Sequence, residues 1–368
     1  MIIGVPKEIK TDEYRVAMTP SGVKELVKEA HRVYVEEGAG VGSGFCDTDY
    51  ALAGATILKS AREVFHISEI IVKVKEPIAQ EYELFKQNQT LFTYLHLAAD
   101  EALTHFLLEK GIRAFAYETL EIKGHLPLLE PMSEVAGKMA SLMSAVHLGR
   151  YHGGSGILAG GVVGTPRAQV MVLGGGVAGK AAAEVAAGLG ADVTILDINT
   201  ERLHYLNDIL PANVTTLYSS SETILSLLPH TDVIIGTVLI HGAKTPKLIT
   251  RQMLSKMKKG SVLVDVSIDQ GGCFESSHAT THTTPTFVEE GIVHYCVANM
   301  PGAYPRTSTH ALTNATLPYI KELARYGAEK ICQKNPIMIS SLNTYDGVLY
   351  NEAVGIALGI ESKEFIEI

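Results

Sequence analysis

The chain has 368 residues, 31 basic and 40 acidic, for a net charge of −9, and 46% of it is hydrophobic. That length is too great for one core and points to about two domains, while the absence of any long basic run excludes nucleic acid and anionic membranes as expected partners. Cys46, Cys273, Cys296 and Cys332 form no Cys-x-x-Cys pair and no Cys/His metal spacing, so reduced thiols and no metal site are expected. No uncharged apolar run approaches the roughly 20 residues that span a bilayer. The start, MIIGVPKEIK, acquires charge at once, unlike a signal peptide, and a soluble cytoplasmic protein is expected.

In chain order, apolar runs at 2–6, 33–38, 70–75, 90–96 and 113–118 read as strands, with helices at 21–30 and 100–110 between them. This alternation predicts an α/β domain with its own parallel sheet over the first 125 or so residues. Apolar spacing over 131–151 predicts a long helix, followed by a glycine-rich connection, GGSGILAGGVVGTPR. Further strands are expected at 232–238, 261–268 and 293–299, the last completing the second sheet, with helices at 221–228 and 250–259. A second long helix is expected over 309–332. The remaining 35 or so residues are too few to fold alone and should pack on the first domain. The expected architecture is therefore two doubly wound parallel-sheet domains, one spanning 129–305 inserted into a discontinuous other, 1–128 with 306–368. A ligand cleft is expected at their junction.

The segment QVMVLGGGVAGKAAAEVAAGLGADVTILDIN, 169–199, reads as strand, glycine loop, helix, strand and acid. Gly174, Gly176 and Gly179 satisfy the G-x-G-x-x-G spacing of the Rossmann dinucleotide fingerprint in the right context. Gly174 makes the tight turn, Gly176 lets backbone amides approach a pyrophosphate, and Gly179 lets helix pack on strand. The helix N-terminus offers unpaired N–H groups to phosphates. Asp197 can accept hydrogen bonds from both ribose hydroxyls, which favours NAD over NADP, whose 2′-phosphate would meet a like charge.

Candidates for chemistry stand where strands end, the ligand-binding rim of open α/β sheets. Arg15 offers a planar fork for a carboxylate, or is a surface arginine in a solvated loop. Lys75 and Lys73 alternate along the 70–75 run and should share a face; Lys75 could hold a carbonyl oxygen or simply snorkel. His96 is the proton-shuttle candidate, with a structural histidine as the alternative. Asp269, beyond the 261–268 run, could orient water or ammonia, whereas Asp265 could be a satisfied polar residue. Asn299 and Met300 end the next run and would line the site with an amide and a thioether; Asn299 could instead be a turn residue.

These segments, with GVPKEIK, EYRVAMTP, KVKEP, LFTYLHLAA, PLLEPMSEVAG, VLVDVSIDQGGCFE, YCVANMPG and TSTHALTNATLPY, resemble alanine dehydrogenases across essentially the whole chain. The resemblance implies NAD-dependent interconversion of L-alanine with pyruvate and ammonia. It implies that His96 and Asp269 are the catalytic pair and that Arg15, Lys75 and Asn299 hold substrate. Around NAD it places Ser133, Gly174, Gly176, Val177, Ala178, Gly179, Asp197, Arg202, Ser219, Val238, Leu239, Val266, Ser267, Ile268, Asp269, Val297, Ala298, Asn299 and Met300. A homohexamer is also implied. Two alternatives are the nucleotide-binding component of a nicotinamide nucleotide transhydrogenase and a dehydrogenase for another small 2-amino acid.

Overall fold

A computed structural model describes residues 1–238 and 245–365. Contacts divide it into two compact units, Met1–Met132 with Gly302–Ile368, and Ser133–Pro301. In chain order the described strands are β1 (Ile2–Val5), β2 (Arg32–Glu36), β3 (Thr56–Leu58), β4 (Ile70–Val72), β5 (Thr90–Thr93), β6 (Arg113–Ala116), β7 (Gln169–Leu173), β8 (Asp192–Asp197), β9 (Val214–Tyr218), β10 (Val233–Gly236), β11 (Val262–Asp265), β12 (Thr286–Glu289), β13 (Ile292–Tyr295), β14 (Leu342–Tyr345) and β15 (Val348–Leu349).

The first unit is an eight-stranded sheet ordered β15-β14-β6-β5-β4-β1-β2-β3. β1 to β6 pair in parallel, and β14 and β15 close one edge antiparallel. Ile70, Ile71 and Val72 are all fully buried, as expected of a central parallel strand covered on both faces. The chain builds outward through β2 and β3 and then returns to the other side of β1, so the loops after β1 and β4 part in opposite directions. That switch point is where open α/β sheets bind ligands. The loop after β1 ends at Thr19, whose hydroxyl caps the helix Pro20–Lys28 by accepting from Gly22 N–H at 3.2 Å, with Pro20 preset for the first turn.

The second unit is a seven-stranded sheet ordered β12-β13-β11-β10-β7-β8-β9, parallel except for β12. Its switch point lies between β7 and β10, and the glycine loop follows β7. The helix Val177–Gly188 buries Ala181, Ala182, Ala183, Ala186 and Ala187, small side chains that let it lie close to the sheet.

Several sequence expectations are corrected. The 70–75, 90–96 and 293–299 runs leave the regular sheet early, after Val72, Thr93 and Tyr295; beyond these points single contacts replace the ladder, Tyr94 N–H to Val74 O and the Val297–Thr280 bridge. Lys73, Lys75 and His96 are thus loop residues. The helix expected at 250–259 covers only Arg251–Leu254. β13 does not complete its sheet, since β12 pairs along its outer side. The long helix Pro305–Lys334 begins earlier than expected and is interrupted at Gly327, at φ 70.

Candidate functional site

At the switch point of the first unit, the loop after β1 buries Arg15 at 2% exposure. Its Nε donates to Glu13 Oε1 at 2.7 Å and its Nη2 to Glu13 Oε2 at 2.5 Å. Nη1, on the other side of the fork, lies 3.0 Å from Met132 Sδ. Burial alone would weaken the guanidinium's hold on its proton, but Glu13 reverses this. The arginine is therefore not a surface residue. A carboxylate two positions away takes the Nε/Nη2 edge and holds the guanidinium plane in place.

Across the switch point, the loop after β4 presents two lysines in unlike surroundings. Lys73, fully buried, donates to Glu8 at 2.9 Å and to Glu81 at 2.7 Å; desolvation works against its charge, but the two carboxylates raise its pKa. Glu8 also accepts from Val74 N–H at 2.6 Å and, at 3.4 Å, from Lys75 N–H. Lys75 is 8% exposed, and among the described residues its ammonium has no carboxylate within 4.0 Å and no hydrogen-bond acceptor. A nearly buried cation without a direct hydrogen-bond acceptor is costly, and an ammonium so placed can engage an anion or a polarised oxygen. Next to it, burial would raise the Glu76 carboxyl, but Lys75, Lys10 and His96 together hold it below its ordinary value.

His96 lies beyond β5, beside β4, in a left-handed turn at φ 51. Its ring stacks on Tyr94, with centroids 5.9 Å apart, and its side chain is 40% exposed. Asn299 in the second unit is likewise left-handed, at φ 57. Non-glycine residues in that region persist where their surroundings hold them, often at functional sites.

In the second unit the glycine loop gives each glycine a distinct task. Gly174 has φ 99; a Cβ on Gly179 would sit 1.8 Å from Gly174 O; a Cβ on Gly176 would meet nothing within 4 Å. Gly176 caps the helix Val177–Gly188 with no side chain covering the first-turn amides, which suits a pyrophosphate. Asp197 accepts from Gly175 N–H at 2.6 Å and Asn199 N–H at 2.8 Å. Arg202 donates to Gly175 O at 2.6 Å and lies over Tyr205, so it is tied to the loop. Ser219 N–H donates to Asp197 O, placing that residue next to the acid. A Cβ on Gly137 would come within 2.0 Å of Ala178 O; the helix Glu130–His147 thus rests on the first turn of the dinucleotide helix. Ser133 lies one turn before Gly137 on the same face.

Val238 O accepts from Ser267 Oγ at 2.7 Å, which ties the loops after β10 and β11 together. Asp269 is exposed, and Asn299 N–H lies 3.4 Å from its Oδ2. Asp265 is instead fully satisfied, accepting from Ser277 Oγ at 2.6 Å and Cys273 N–H at 3.0 Å. Val266 is half-buried, Ile268 is buried at the start of the turn that carries Asp269, and Ala298 N–H bonds to Thr280 O. Val297 and Met300 bury their side chains in the core; the Met300 thioether therefore does not line the site, and these two can offer only backbone. Leu239 lies outside the described residues. Sequence reading missed the roles of Glu13, Glu8 and Glu81, the carboxylates that hold Arg15 and Lys73. Only Glu13, two residues from Arg15, carried a local signal.

Taken together, a glycine loop before a helix start with no side-chain cap and an acid ending the next strand are the features of a dinucleotide-binding sheet, and the other unit buries Arg15 and Lys75 at its own switch point. Comparison narrows this. The family models "Alanine dehydrogenase/PNT, N-terminal domain" and "Alanine dehydrogenase/PNT, C-terminal domain" match residues 4–136 and 140–352. An alanine dehydrogenase of Methanococcus maripaludis is 52% identical over 97% of this chain and 96% of its own length; that of Bacillus subtilis is 51% identical over 98% and 96%. A solved L-alanine dehydrogenase superposes with a TM-score of 0.94 at 47% identity, covering 98% of this chain and 99% of that one. The transhydrogenase from Sinorhizobium meliloti reaches 0.80 at 25% identity, over 96% and 100%. The chain belongs to the alanine dehydrogenase/PNT family.

Proposed function

We infer that this chain is an NAD-dependent oxidoreductase acting on a CH–NH2 donor, which oxidises L-alanine to pyruvate and ammonia and runs the reverse amination. The observation that carries the reading is the nearly buried Lys75 ammonium, which has no hydrogen-bond acceptor among the described residues, across the switch point from the clamped Arg15 fork. Identity near 50% to alanine dehydrogenases, against 25% to the transhydrogenase, favours this reading over an energy-coupling component. The glycine loop, the uncapped helix start and Asp197 fit NAD, which when bound supplies the hydride acceptor.

Arg15 receives the substrate carboxylate, and Lys75 the heteroatom on the reacting carbon. Asn299 is a further polar contact for substrate. His96 removes a proton from the water that adds to the iminium formed from alanine, and Asp269 orients that water. Collapse of the carbinolamine returns a proton to the nitrogen, and ammonia leaves. Positioning with acid/base assistance is what this chemistry asks of a protein. The test is growth of the NADH absorbance when purified protein meets NAD and L-alanine, with L-serine and 2-aminobutyrate compared as rival substrates. His96→Ala and Asp269→Ala should each lose about 100-fold or more in turnover; near-normal turnover in either removes the role assigned to it.

A cytoplasmic homohexamer is part of the same reading. Val146, Tyr151, Leu158, Val162 and Val163 stand exposed close together in sequence, Tyr151 and Val163 completely so, as residues do that a further subunit covers. Light scattering distinguishes a hexamer from the 39.6 kDa chain. No helix among the described residues is long and apolar enough to cross a membrane.

A further inference from the structure

We propose that Glu118 is the positioning residue for His96, its carboxylate clamping the left-handed turn that carries the imidazole. This rests on His96 being the acid/base group inferred above. β5 and β6 pair in parallel as far as Thr93 opposite Ala116, and Tyr117 N–H still donates to Thr93 O at 2.9 Å. Beyond that point Tyr94 N–H turns to Val74 O on the β4 side at 3.3 Å, and on the β6 side the Glu118 side chain takes the place of a main-chain acceptor. Leu95 N–H donates to its two oxygens at 3.1 and 3.2 Å, and His96 N–H to Oε1 at 2.6 Å.

The same Oε1 lies 3.9 Å from His96 Nδ1. One carboxylate thus holds the backbone of two consecutive residues and stands beside one edge of the ring, while Tyr94 fixes the ring's plane by stacking. This orientation assigns Nε2 to proton exchange with substrate. Hydrogen bonds from backbone N–H groups to a charged acceptor are strong, and they compensate a conformation that a histidine seldom adopts unaided. The other neighbouring carboxylate, Glu76, is engaged by Lys10, so Glu118 is the group that meets His96 directly.

The test is steady-state kinetics of Glu118 variants. E118A should lower kcat for L-alanine oxidation about 10- to 100-fold, the usual effect of a misplaced reacting group. The KM values for L-alanine and NAD should stay within about threefold, since carboxylate and dinucleotide contacts are untouched. E118Q keeps an oxygen for both N–H groups and should recover activity to within about fivefold of wild type. E118D, which withdraws the carboxylate by one methylene and keeps its charge, should lose kcat as E118A does; it decides the matter if E118A does not fold. In an H96A background E118A should change the residual rate by less than about twofold, because residues that act as a unit are non-additive. A kcat within about twofold of wild type for folded E118A or E118D overturns the proposal, as does an equal loss in the H96A background. Wild-type turnover by H96A alone would instead overturn the reading of His96, a result independent of the Glu118 variants.

Discussion

Replacing Gly179 and Gly176 by alanine separates two tasks that share one loop. A Cβ on Gly179 would stand 1.8 Å from Gly174 O, 2.8 Å from Thr237 Oγ1 and 2.9 Å from Gly174 C. Real Cβ contacts stay beyond 3.0 Å, so helix and loop must part by more than 1 Å. The obstruction is backbone, and Thr237 is itself fixed by bonds to Leu173 O and Gly174 O at 2.9 Å. Overpacking costs about 1–3 kcal/mol where side chains can yield; here the upper end, about 3 kcal/mol, applies. For a unit of this size that lowers the melting temperature by about 6–12 °C. Gly176→Ala adds a Cβ that meets nothing within 4 Å, at an ordinary φ of −65. Its helix-cap cost is under about 1 kcal/mol, yet its methyl group occupies the approach of a pyrophosphate and should weaken NADH binding about tenfold or more, equivalent to 1.4 kcal/mol. Thermal melts and NADH fluorescence titration of both variants decide. If Gly179→Ala melts with wild type, or Gly176→Ala binds NADH as wild type does, the assignment of glycine roles is wrong.

Arg15→Ala takes from buried Glu13 the guanidinium that neutralises it and should cost about 3–5 kcal/mol in urea denaturation; the double variant with Glu13→Ala should recover much of that stability while L-alanine turnover stays lost, and an undiminished midpoint for Arg15→Ala refutes the pairing argument. Asp197→Ala removes both the acid proposed to face the ribose and the acceptor of the Gly175 amide; the KM for NAD should rise about tenfold and the discrimination against NADP should fall, and an unchanged NAD/NADP ratio counts against that role. His147, whose pKa burial lowers from 6.5, has no bond to its buried Nδ1. The unfolded chain therefore binds a proton that the folded one resists, so the histidine's stability contribution is present above about pH 6.5 and is lost as pH falls through the lowered folded value. Stability of wild type minus that of His147→Gln should shrink on acidification; a difference independent of pH excludes the mechanism.

The order of elements was legible in the chain because its signals are local. A parallel strand buried on both faces reads as an apolar run, a helix as a 3.6-residue period, and Gly174 must be glycine because its φ is 99. Short or half-exposed strands escaped. β3 has three residues and β9 buries none fully, and each is recognised only by the hydrogen bonds of a neighbour. Strand ends were overrun for the same reason: the Val-Lys-Val-Lys alternation continues past Val72, but the partner ladder does not.

By itself the sequence determined which residues could bind a dinucleotide and which chemically able side chains end the strands, since spacing, glycine and charge are properties of neighbours along the chain. The tertiary structure alone decided what those side chains experience. Lys73 and Lys75 are two residues apart and alike in pattern, yet one is neutralised by Glu8 and Glu81 while the ammonium of the other has no hydrogen-bond acceptor among the described residues. The turn that carries His96 meets Glu118, 22 positions away, because β5 and β6 lie side by side. Burial and charge pairing depend on through-space distance, and only the strand order sets that distance.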